Sequence, residues 1–222
     1  MPDAPTPGSS ELDSSTTRTI AAELLTLGAA TVGESGGHPM HPRIHAAWPG
    51  ARLAAPAFPV RCSPGDNLAI HVGVARAPRG SALVVDVGDE EEFGYWGEVL
   101  TTGAEARDVV GLVIDGGVRD SSALAGHGFP VFSTTVALRG ASKNRPGTVG
   151  VTVDVGGVSV AAGDWLVGDA DGVAVLSAAR IDDVLRAGRA RLEKEEAMFM
   201  ALRGGTTTLE LLGLDASPVE GA

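Results

Sequence analysis

A glutamate, an arginine and an aspartate occur in this sequence at a spacing that suits the binding of a small carboxylic acid. Glu98 stands in the segment GYWGEVL, and twenty residues separate it from the consecutive Arg119 and Asp120. A guanidinium group can donate two parallel hydrogen bonds to a carboxylate. An aspartate offers the hard oxygen ligands that Mg²⁺ or Mn²⁺ prefers. The arginine and the aspartate together predict a metal-assisted site for an organic acid.

A strand, a helix and a second strand should bring these residues together. The runs ALVVDVG and GLVIDGG predict strands that end near Gly88 and Asp115, and the segment between them predicts a helix that begins near Gly97. Such a crossover makes the two strands parallel, and ligands bind beyond the carboxyl ends of parallel strands. The amides of the first helical turn would then receive a carboxylate: Gly97, Glu98, Val99 and Leu100.

Further strands and helices are predicted around this crossover. Short apolar runs between Gly, Pro and Asp predict strands: FPVRC, NLAIHVGVA, FPVFSTTVAL, GVTVDV, VSV and DWLVGDADGVAVL. Several are continuously apolar, which is typical of strands covered on both faces. TRTIAAELLTLG predicts an amphipathic helix with Gly28 at its end, residues 180–205 predict one long helix, and TTTLELLGL predicts a short one.

Length and composition indicate one domain with short tails. The 222 residues, of which 44% are hydrophobic, suit a single core. Residues 1–16 are rich in Pro, Ser and Asp and predict a disordered tail. Residues 17–214 form the predicted α/β domain, and residues 215–222 form a C-terminal tail.

Charge and cysteine content restrict the function. The net charge of −11 opposes nucleic-acid binding, which depends on phosphate neutralisation by Lys and Arg. No apolar run is long enough to cross a membrane, and the first residues lack a leader pattern. The single cysteine, Cys62, cannot form an internal disulfide, so we expect a small core side chain and a cytoplasmic protein.

The histidines do not favour a zinc site. Three of the five cluster in HPMHPRIH: His38, His41 and His45. Pro39 and Pro42 break the helix that would set the spacing of zinc ligands. We interpret His71, within a run that reads as a strand, as a residue of the core or of a pocket wall.

Several segments, in a fixed order, resemble the 4-hydroxy-4-methyl-2-oxoglutarate/4-carboxy-4-hydroxy-2-oxoadipate aldolase family. The spacing of an acid, twenty residues and Arg-Asp is similar to its signature, and the resemblance extends from about Ala30 through WPGARLAAPAFPVRCSPGDNLAIH, WGEVL, GLVIDGGVRD, GFPVF and GDWLVGDADGVAVL to the Glu-rich last helix. The same fold family includes the regulator of ribonuclease activity A and proteins often labelled demethylmenaquinone methyltransferase-like. The resemblance implies a three-layer swivelling β/β/α domain and a homotrimer or hexamer with its sites between subunits.

The resemblance also implies roles for individual residues. Asp120 would bind Mg²⁺ or Mn²⁺ directly, Glu98 would hold a metal-bound water, and Arg119 would contact the pyruvate part of the substrate. The amides of residues 97–100 would receive the substrate carboxylate. A glutamate on the last helix of a neighbouring subunit would complete the site, with Glu34 as a second contributor. Three residues remain alternatives for that glutamate: Glu193, Glu195 and Glu196.

The implied activity is that of a metal-dependent (class II) aldolase. It would cleave a 4-hydroxy-2-oxo diacid to pyruvate and another oxo acid through a metal-stabilised enolate, and it could decarboxylate oxaloacetate. The only lysines, Lys143 and Lys194, lie outside the predicted pocket, which weakly favours a metal over a Schiff base. Ala123 stands where many relatives have an acid, so the substrate preference stays open.

Two other functions and a structural explanation stay open. The chain could be a non-catalytic regulator that binds a ribonuclease or a helicase, or a lyase for a different oxo acid. Without the surrounding pattern, Arg119 and Asp120 would be read as a solvated ion pair in a turn. In the same way, Glu98 would be a favourable acid in a first helical turn.

Overall fold

The computed structural model describes residues 14–219 of the chain. Most of the predicted disordered tail, residues 1–13, therefore lies outside the described residues, as do residues 220–222 of the predicted C-terminal tail. The first helix begins at Ser14, so the last three residues of the predicted tail are helical. No helix within residues 14–219 is long and apolar enough to cross a membrane.

The described residues form six α-helices and fifteen short or medium strands. The helices are α1 (Ser14–Glu34), α2 (Leu68–Arg76), α3 (Glu98–Glu105), α4 (Ser121–His127), α5 (Ile181–Arg203) and α6 (Thr208–Leu212), with a 3-10 turn at Ala178–Arg180. The strands are β1 (His38–Pro39), β2 (His45–Ala46), β3 (Leu53–Arg61), β4 (Ala82–Asp86), β5 (Phe93–Trp96), β6 (Leu112–Asp115), β7 (Gly117–Val118), β8 (Val131–Ser133), β9 (Thr135–Val136), β10 (Arg139–Gly140), β11 (Thr148–Val149), β12 (Val153–Val155), β13 (Val158–Val160), β14 (Trp165–Asp169) and β15 (Gly172–Leu176).

A large mixed sheet forms the centre of the domain. Its strand order is β1-β15-β14-β3-β4-β6-β8-β2, and β11 also pairs with β3. The strands β3, β4, β6 and β8 are parallel to one another. The pairs that contain β1, β2, β11, β14 or β15 are antiparallel. The predicted parallel pairing of ALVVDVG with GLVIDGG is thus confirmed, since β4 and β6 are neighbours.

Both faces of the large sheet are buried, which explains the continuously apolar strands. In β4, Leu83 and Val85 face a core shared with α2, α3 and α4. Val84, between them, faces the opposite side, where the hairpin β12–β13 covers the sheet. Alternate residues of a strand point to opposite faces, so a strand covered twice must be apolar throughout. Helices, large sheet and outer strands make the three layers of the predicted swivelling β/β/α domain.

The parallel strands of the large sheet continue into a second, smaller sheet. After β6 the chain passes through Gly116 into β7, and after β8 it passes through Thr134 into β9. The small sheet has the order β10-β5-β7-β9, and all of its pairs are parallel. A Cβ atom at Gly116 would lie 2.8 Å from Val87 Cγ2, so the crossing between the sheets requires a glycine.

One local prediction is wrong. NLAIHVGVA is not a strand but helix α2, whose buried residues Ala69, Ile70, Gly73 and Val74 follow helical spacing. Gly73 lets this helix lie against β3, because a Cβ atom there would meet Val60 Cγ2 at 2.8 Å. The prediction for Gly28 is confirmed, because its non-helical φ of 78° and ψ of 165° end the first helical segment of α1, and a second segment continues to Glu34. Asp169 accepts a hydrogen bond from the Ala29 amide at 2.8 Å, at the start of that second segment.

The second half of α5 and all of α6 lie on the surface of the domain. The first half of α5 packs on α1 through Val184, Leu185 and Gly188, as the predicted long helix should. Beyond Gly188, no described residue of α5 or α6 is buried. Several apolar side chains of this segment are exposed: Phe199, Met200, Leu209, Leu212 and Leu214. The short helix predicted for TTTLELLGL is confirmed as α6, which has a capping box at its start.

Candidate functional site

The predicted site residues lie where β5 and β7 end and where α3 and α4 begin. Trp96 of β5 pairs with Val118 of β7, and the Arg119 amide donates a hydrogen bond to the Trp96 carbonyl at 2.8 Å. The buried Trp96 indole also donates to the Thr101 hydroxyl at 2.7 Å, which anchors α3. The ends of β4 and β6 lie side by side as expected, but the site residues follow the later strands β5 and β7 of the small sheet.

Asp120 occupies an unusual backbone conformation at the start of α4. Its φ of 57° and ψ of 35° lie in the left-handed region, which a residue other than Gly adopts at some cost. The Asp120 Oδ2 atom accepts a hydrogen bond from the Glu98 amide at 3.1 Å. The side chain is 42% exposed, so the carboxylate is held on one side and open on the other.

Gly97 is required for this arrangement. A Cβ atom at position 97 would lie 2.4 Å from Asp120 Oδ2 and 3.0 Å from Arg119 Cγ. The backbone φ of Gly97 is −165°, an extended value that any residue adopts. The glycine is therefore needed for the space that it leaves to the Asp120 carboxylate.

Arg119 lies beside the same carboxylate. Its Nε atom is 3.7 Å from Asp120 Oδ2, and its side chain is 44% exposed. Gly94 makes room for it, because a Cβ atom there would lie 3.1 Å from Arg119 Cδ and 2.5 Å from the Ala137 carbonyl oxygen. The guanidinium group is thus packed along its stem and keeps donors for a ligand.

The helix N-terminus offers fewer amides than predicted. The Glu98 amide is already bound to Asp120, whereas the structure pairs no acceptor among residues 14–219 with the amides of Gly97, Val99 and Leu100. The Val99 side chain is 78% exposed beside them. Three amides, one guanidinium group and one open carboxylate therefore lie together at the starts of α3 and α4, where they are available to a ligand.

The donor set fits a hard cation. Among the described residues, no three His, Cys, Asp or Glu side chains lie together as a ready metal cage. The open oxygen of Asp120 offers a single ligand, and Mg²⁺ is commonly bound through one or two carboxylates, with water and substrate in the other positions. Because Asp120 Oδ2 is held by the Glu98 amide, the second oxygen keeps a fixed direction for such an ion.

A histidine that the sequence analysis left without a role contacts Glu98. His127, at the end of α4, has Nδ1 at 2.9 Å from Glu105 Oε2 and Nε2 at 3.7 Å from Glu98 Oε1. Glu98 and Glu105 are seven residues apart, which places both on one face of α3. Only the packing of α4 on α3 shows this contact, since His127 is distant in sequence.

A second polar cluster lies at the start of α2, next to β5. Asn67 donates from Nδ2 to the Tyr95 carbonyl at 2.7 Å, while its Oδ1 and the Nε2 of His71 are buried without a partner among the described residues. Burial, followed by nearby Lys143, lowers the pKa of His71. His71 is thus a helix residue rather than a strand residue, and Lys143 lies near enough to influence it.

Asp66 fixes this cluster to the loop that follows β10. Burial tends to raise the pKa of its carboxyl group, but hydrogen bonds from the amides of Asn144, Leu68 and Arg145 and from the Ser142 hydroxyl lower the pKa to about 2. The loop that carries Lys143 is therefore held beside the small sheet by an aspartate that is ionised at neutral pH.

Within one chain, the structure does not bring the predicted C-terminal glutamates to Asp120. Helix α1 packs against β14 and β15 and carries α5 on it, towards the opposite end of the large sheet from α3 and α4. Arg191 of α5 contacts Glu34 of α1 and binds Glu195 at 2.8 Å. Glu196 lies 3.8 Å from Arg203. Glu34 and Glu195 therefore share one arginine on this outer surface.

The layers and the site together define a swivelling β/β/α protein that presents an arginine–aspartate pair at the end of a parallel strand. The chain belongs to the RraA-like family, because the family model described as Aldolase/RraA matches residues 21–175. This match confirms the resemblance found in the sequence.

Relatives with names and solved structures agree with this family. The chain is 30% identical over 151 residues to a Halalkalibacterium halodurans protein named "Putative 4-hydroxy-4-methyl-2-oxoglutarate aldolase", covering 68% of this chain and 72% of the relative. An uncharacterized Pseudomonas syringae pv. tomato protein has a similar structure, with a TM-score of 0.74 and 25% identity over 86% of this chain and 94% of its own. Streptomyces coelicolor RraAS2, described as an unusual member of the RNase ES inhibitor RraA protein family, shares the fold, with a TM-score of 0.72 and 22% identity over 82% of this chain and 96% of its own.

Proposed function

We propose that this protein is a divalent-metal-dependent lyase that cleaves a 4-hydroxy-2-oxo diacid into pyruvate and a second oxo acid. The observation that carries the proposal is the contact between Asp120 Oδ2 and the Glu98 amide, which holds a carboxylate beside Arg119 and at the start of α3. The names of relatives such as the Halalkalibacterium halodurans protein support the reaction class.

The open groups around Asp120 suit a 2-oxo acid. The amides of Val99 and Leu100, which lack acceptors among the described residues, can donate to its carboxylate. Arg119 can donate to the same carboxylate or to the neighbouring oxo group. Mg²⁺ or Mn²⁺ on the open oxygen of Asp120 would supply electrophilic polarisation of that oxo group.

The proposed cleavage needs a proton acceptor and a group that stabilises negative charge. Removal of the proton from the 4-hydroxyl group lets its oxygen form a new carbonyl, while the bond between C3 and C4 breaks. The electron pair of that bond passes to the pyruvate fragment, whose oxygen receives hydrogen bonds from Arg119. Glu98, 57% exposed at the first position of α3, accepts the proton through a water molecule and returns one to C3. Decarboxylation of oxaloacetate leaves the same fragment, so we propose it as a second activity.

The exposed C-terminal helices support a site shared between copies of the chain in a homotrimer or hexamer. Among Glu193, Glu195 and Glu196, we favour Glu195 as the residue that reaches a neighbouring site. Arg191 holds Glu195 at 2.8 Å and also contacts Glu34, the second predicted contributor. One arginine would thus orient both acids before assembly.

Two alternative functions have different consequences for the site residues. A regulator of a ribonuclease or a helicase would need no open carboxylate at Asp120, and the likeness to RraAS2 concerns the fold alone. A lyase for a different oxo acid would keep the same residues but a different pocket wall. Ala123, in the first turn of α4, stands where the resemblance to the aldolase family implies an acid, and it is one place where such a difference would arise.

Pyruvate release tests the proposal directly. The coupled oxidation of NADH by lactate dehydrogenase would be followed with 4-hydroxy-4-methyl-2-oxoglutarate or oxaloacetate, with Mg²⁺ or EDTA. Wild-type protein would be compared with Asp120→Asn, which keeps the size of the side chain and tolerates a positive φ. Asp154→Asn, at an exposed position of the outer hairpin, serves as the matched control.

We expect release that depends on Mg²⁺, is lost in Asp120→Asn and is retained in Asp154→Asn. Loss of more than about 100-fold corresponds to more than about 2.7 kcal/mol of transition-state stabilisation. Folded wild-type protein that releases no pyruvate from either acid would refute the proposed substrates. Binding of a ribonuclease or a helicase by the same inactive protein would instead support the regulator.

A further inference from the structure

His127 is the side chain through which α4 contacts the acids of α3. Its Nδ1 lies 2.9 Å from Glu105 Oε2, and its Nε2 lies 3.7 Å from Glu98 Oε1. The imidazole is 25% exposed, less than Glu105 at 40% and Glu98 at 57%. Glu105, His127 and Glu98 thus form a row from the end of α3 to its first residue.

The chemistry of these groups determines how the row is connected. An ionised carboxylate only accepts hydrogen bonds, so the 2.9 Å contact requires a proton on Nδ1 of His127. In the neutral imidazole the other nitrogen, Nε2, is then an acceptor that faces Glu98. An Nε2 lone pair accepts a proton from Glu98, or from a water molecule between them, but repels a bare carboxylate oxygen in direct contact.

We propose that His127, oriented by Glu105, is a positioning residue that restricts the Glu98 carboxylate to the side of α3 that faces α4. The inference rests on the proposed function, because Glu98 is the proton carrier there. The separation of 3.7 Å is too long for a direct hydrogen bond, so a water molecule that donates to both Nε2 and Glu98 Oε1 would link the two acceptors and leave the other Glu98 oxygen for the substrate side. Outer hydrogen-bond partners of this kind commonly change activity by about 10- to 100-fold.

The connection has support from the surrounding backbone. The Glu98 amide is bound to Asp120 Oδ2, and its carbonyl accepts a hydrogen bond from the Thr102 hydroxyl at 3.0 Å. The backbone of Glu98 is thus fixed, and only the rotation of its side chain remains free. His127 is the one described side chain for which a contact with the Glu98 carboxylate is found within ion-pair distance.

The test combines the tautomer of His127 with steady-state kinetics. In the metal-free protein, ¹⁵N NMR should show the proton on Nδ1 of His127 at a pH where the ring is neutral, and Glu105→Leu should remove this preference. In His127→Ala we expect kcat to fall about 10-fold or more with little change in KM, and His127→Gln to restore part of the loss. His38→Ala, on an exposed edge strand, is the control.

Separate outcomes refute the two proposals. A neutral His127 with its proton on Nε2 overturns the connection through Glu105, whatever the activity. Wild-type activity in a folded His127→Ala protein overturns the positioning role while leaving the lyase proposal intact. An inactive wild-type protein refutes the lyase instead, and the NMR result still decides whether Glu105 orients His127.

Discussion

Replacement of Gly97 by alanine should disable the site without disturbing the fold. The new Cβ atom would lie 2.4 Å from Asp120 Oδ2, whereas ordinary contacts begin at 3.4 Å, so the carboxylate must move by about 1 Å. A displacement of this size in a catalytic group costs about 100-fold in rate, or about 2.7 kcal/mol. The extended φ of −165° accepts alanine, so no backbone strain adds to the effect.

The assay is steady-state pyruvate release together with thermal unfolding. Gly97→Ala should lower kcat/KM about 100-fold while its thermal midpoint stays within about 4 °C of wild type, the shift that about 1 kcal/mol produces at most in a chain of this size. Gly103→Ala lies on the same helix, but its Cβ atom would meet only Val74 Cγ1 at 4.0 Å, so this control should keep full activity. Equal activity in both variants would refute the role given to the space beside Gly97.

Two further predictions concern groups outside the reaction itself. The folded-state pKa of Asp66 is lowered from 3.8 to about 2, so the contribution of its carboxylate to stability is complete above pH 4 and is lost as the pH falls through 2. Wild type should therefore lose about 2 kcal/mol of unfolding free energy over this interval relative to Asp66→Asn. Parallel curves of unfolding free energy against pH for the two proteins would contradict this. Because burial raises the pKa of Cys62 to about 12, the folded protein should not react with a thiol reagent at pH 8 but should react in denaturant, and rapid labelling of the native protein would show that the thiol is accessible.

Much of the architecture was predictable, because it depends on apolar patterns within short stretches of the sequence. The apolar runs of β4 and β6 require cover on both faces, and the segment between them has the length of a crossover helix. The failure at α2 has a physical cause. Its residues Ile70, Val72 and Val74 favour strands by type, while the small Ala69 and Gly73 that permit helix packing on β3 carry a weaker signal.

The candidate site was predictable in composition but only partly in geometry. The type and spacing of Glu98, Arg119 and Asp120 suggested a common site. The hydrogen bond from the Glu98 amide to Asp120 depends on the left-handed backbone of Asp120, which no residue pattern predicts. The contact of His127 with Glu98 depends on how α4 packs on α3, and the sequence of neither helix alone predicts this packing.

The left-handed backbone of Asp120 also bears on how relatives of this protein diverge. Asparagine and glycine tolerate φ near 57° better than most residues, but neither supplies an ionised carboxylate. Under the proposed function, a relative that keeps the fold without the reaction could replace Asp120 by Asn or Gly with little backbone strain. The identity of that residue offers a simple marker for separating catalysts from inactive descendants that have taken up binding roles.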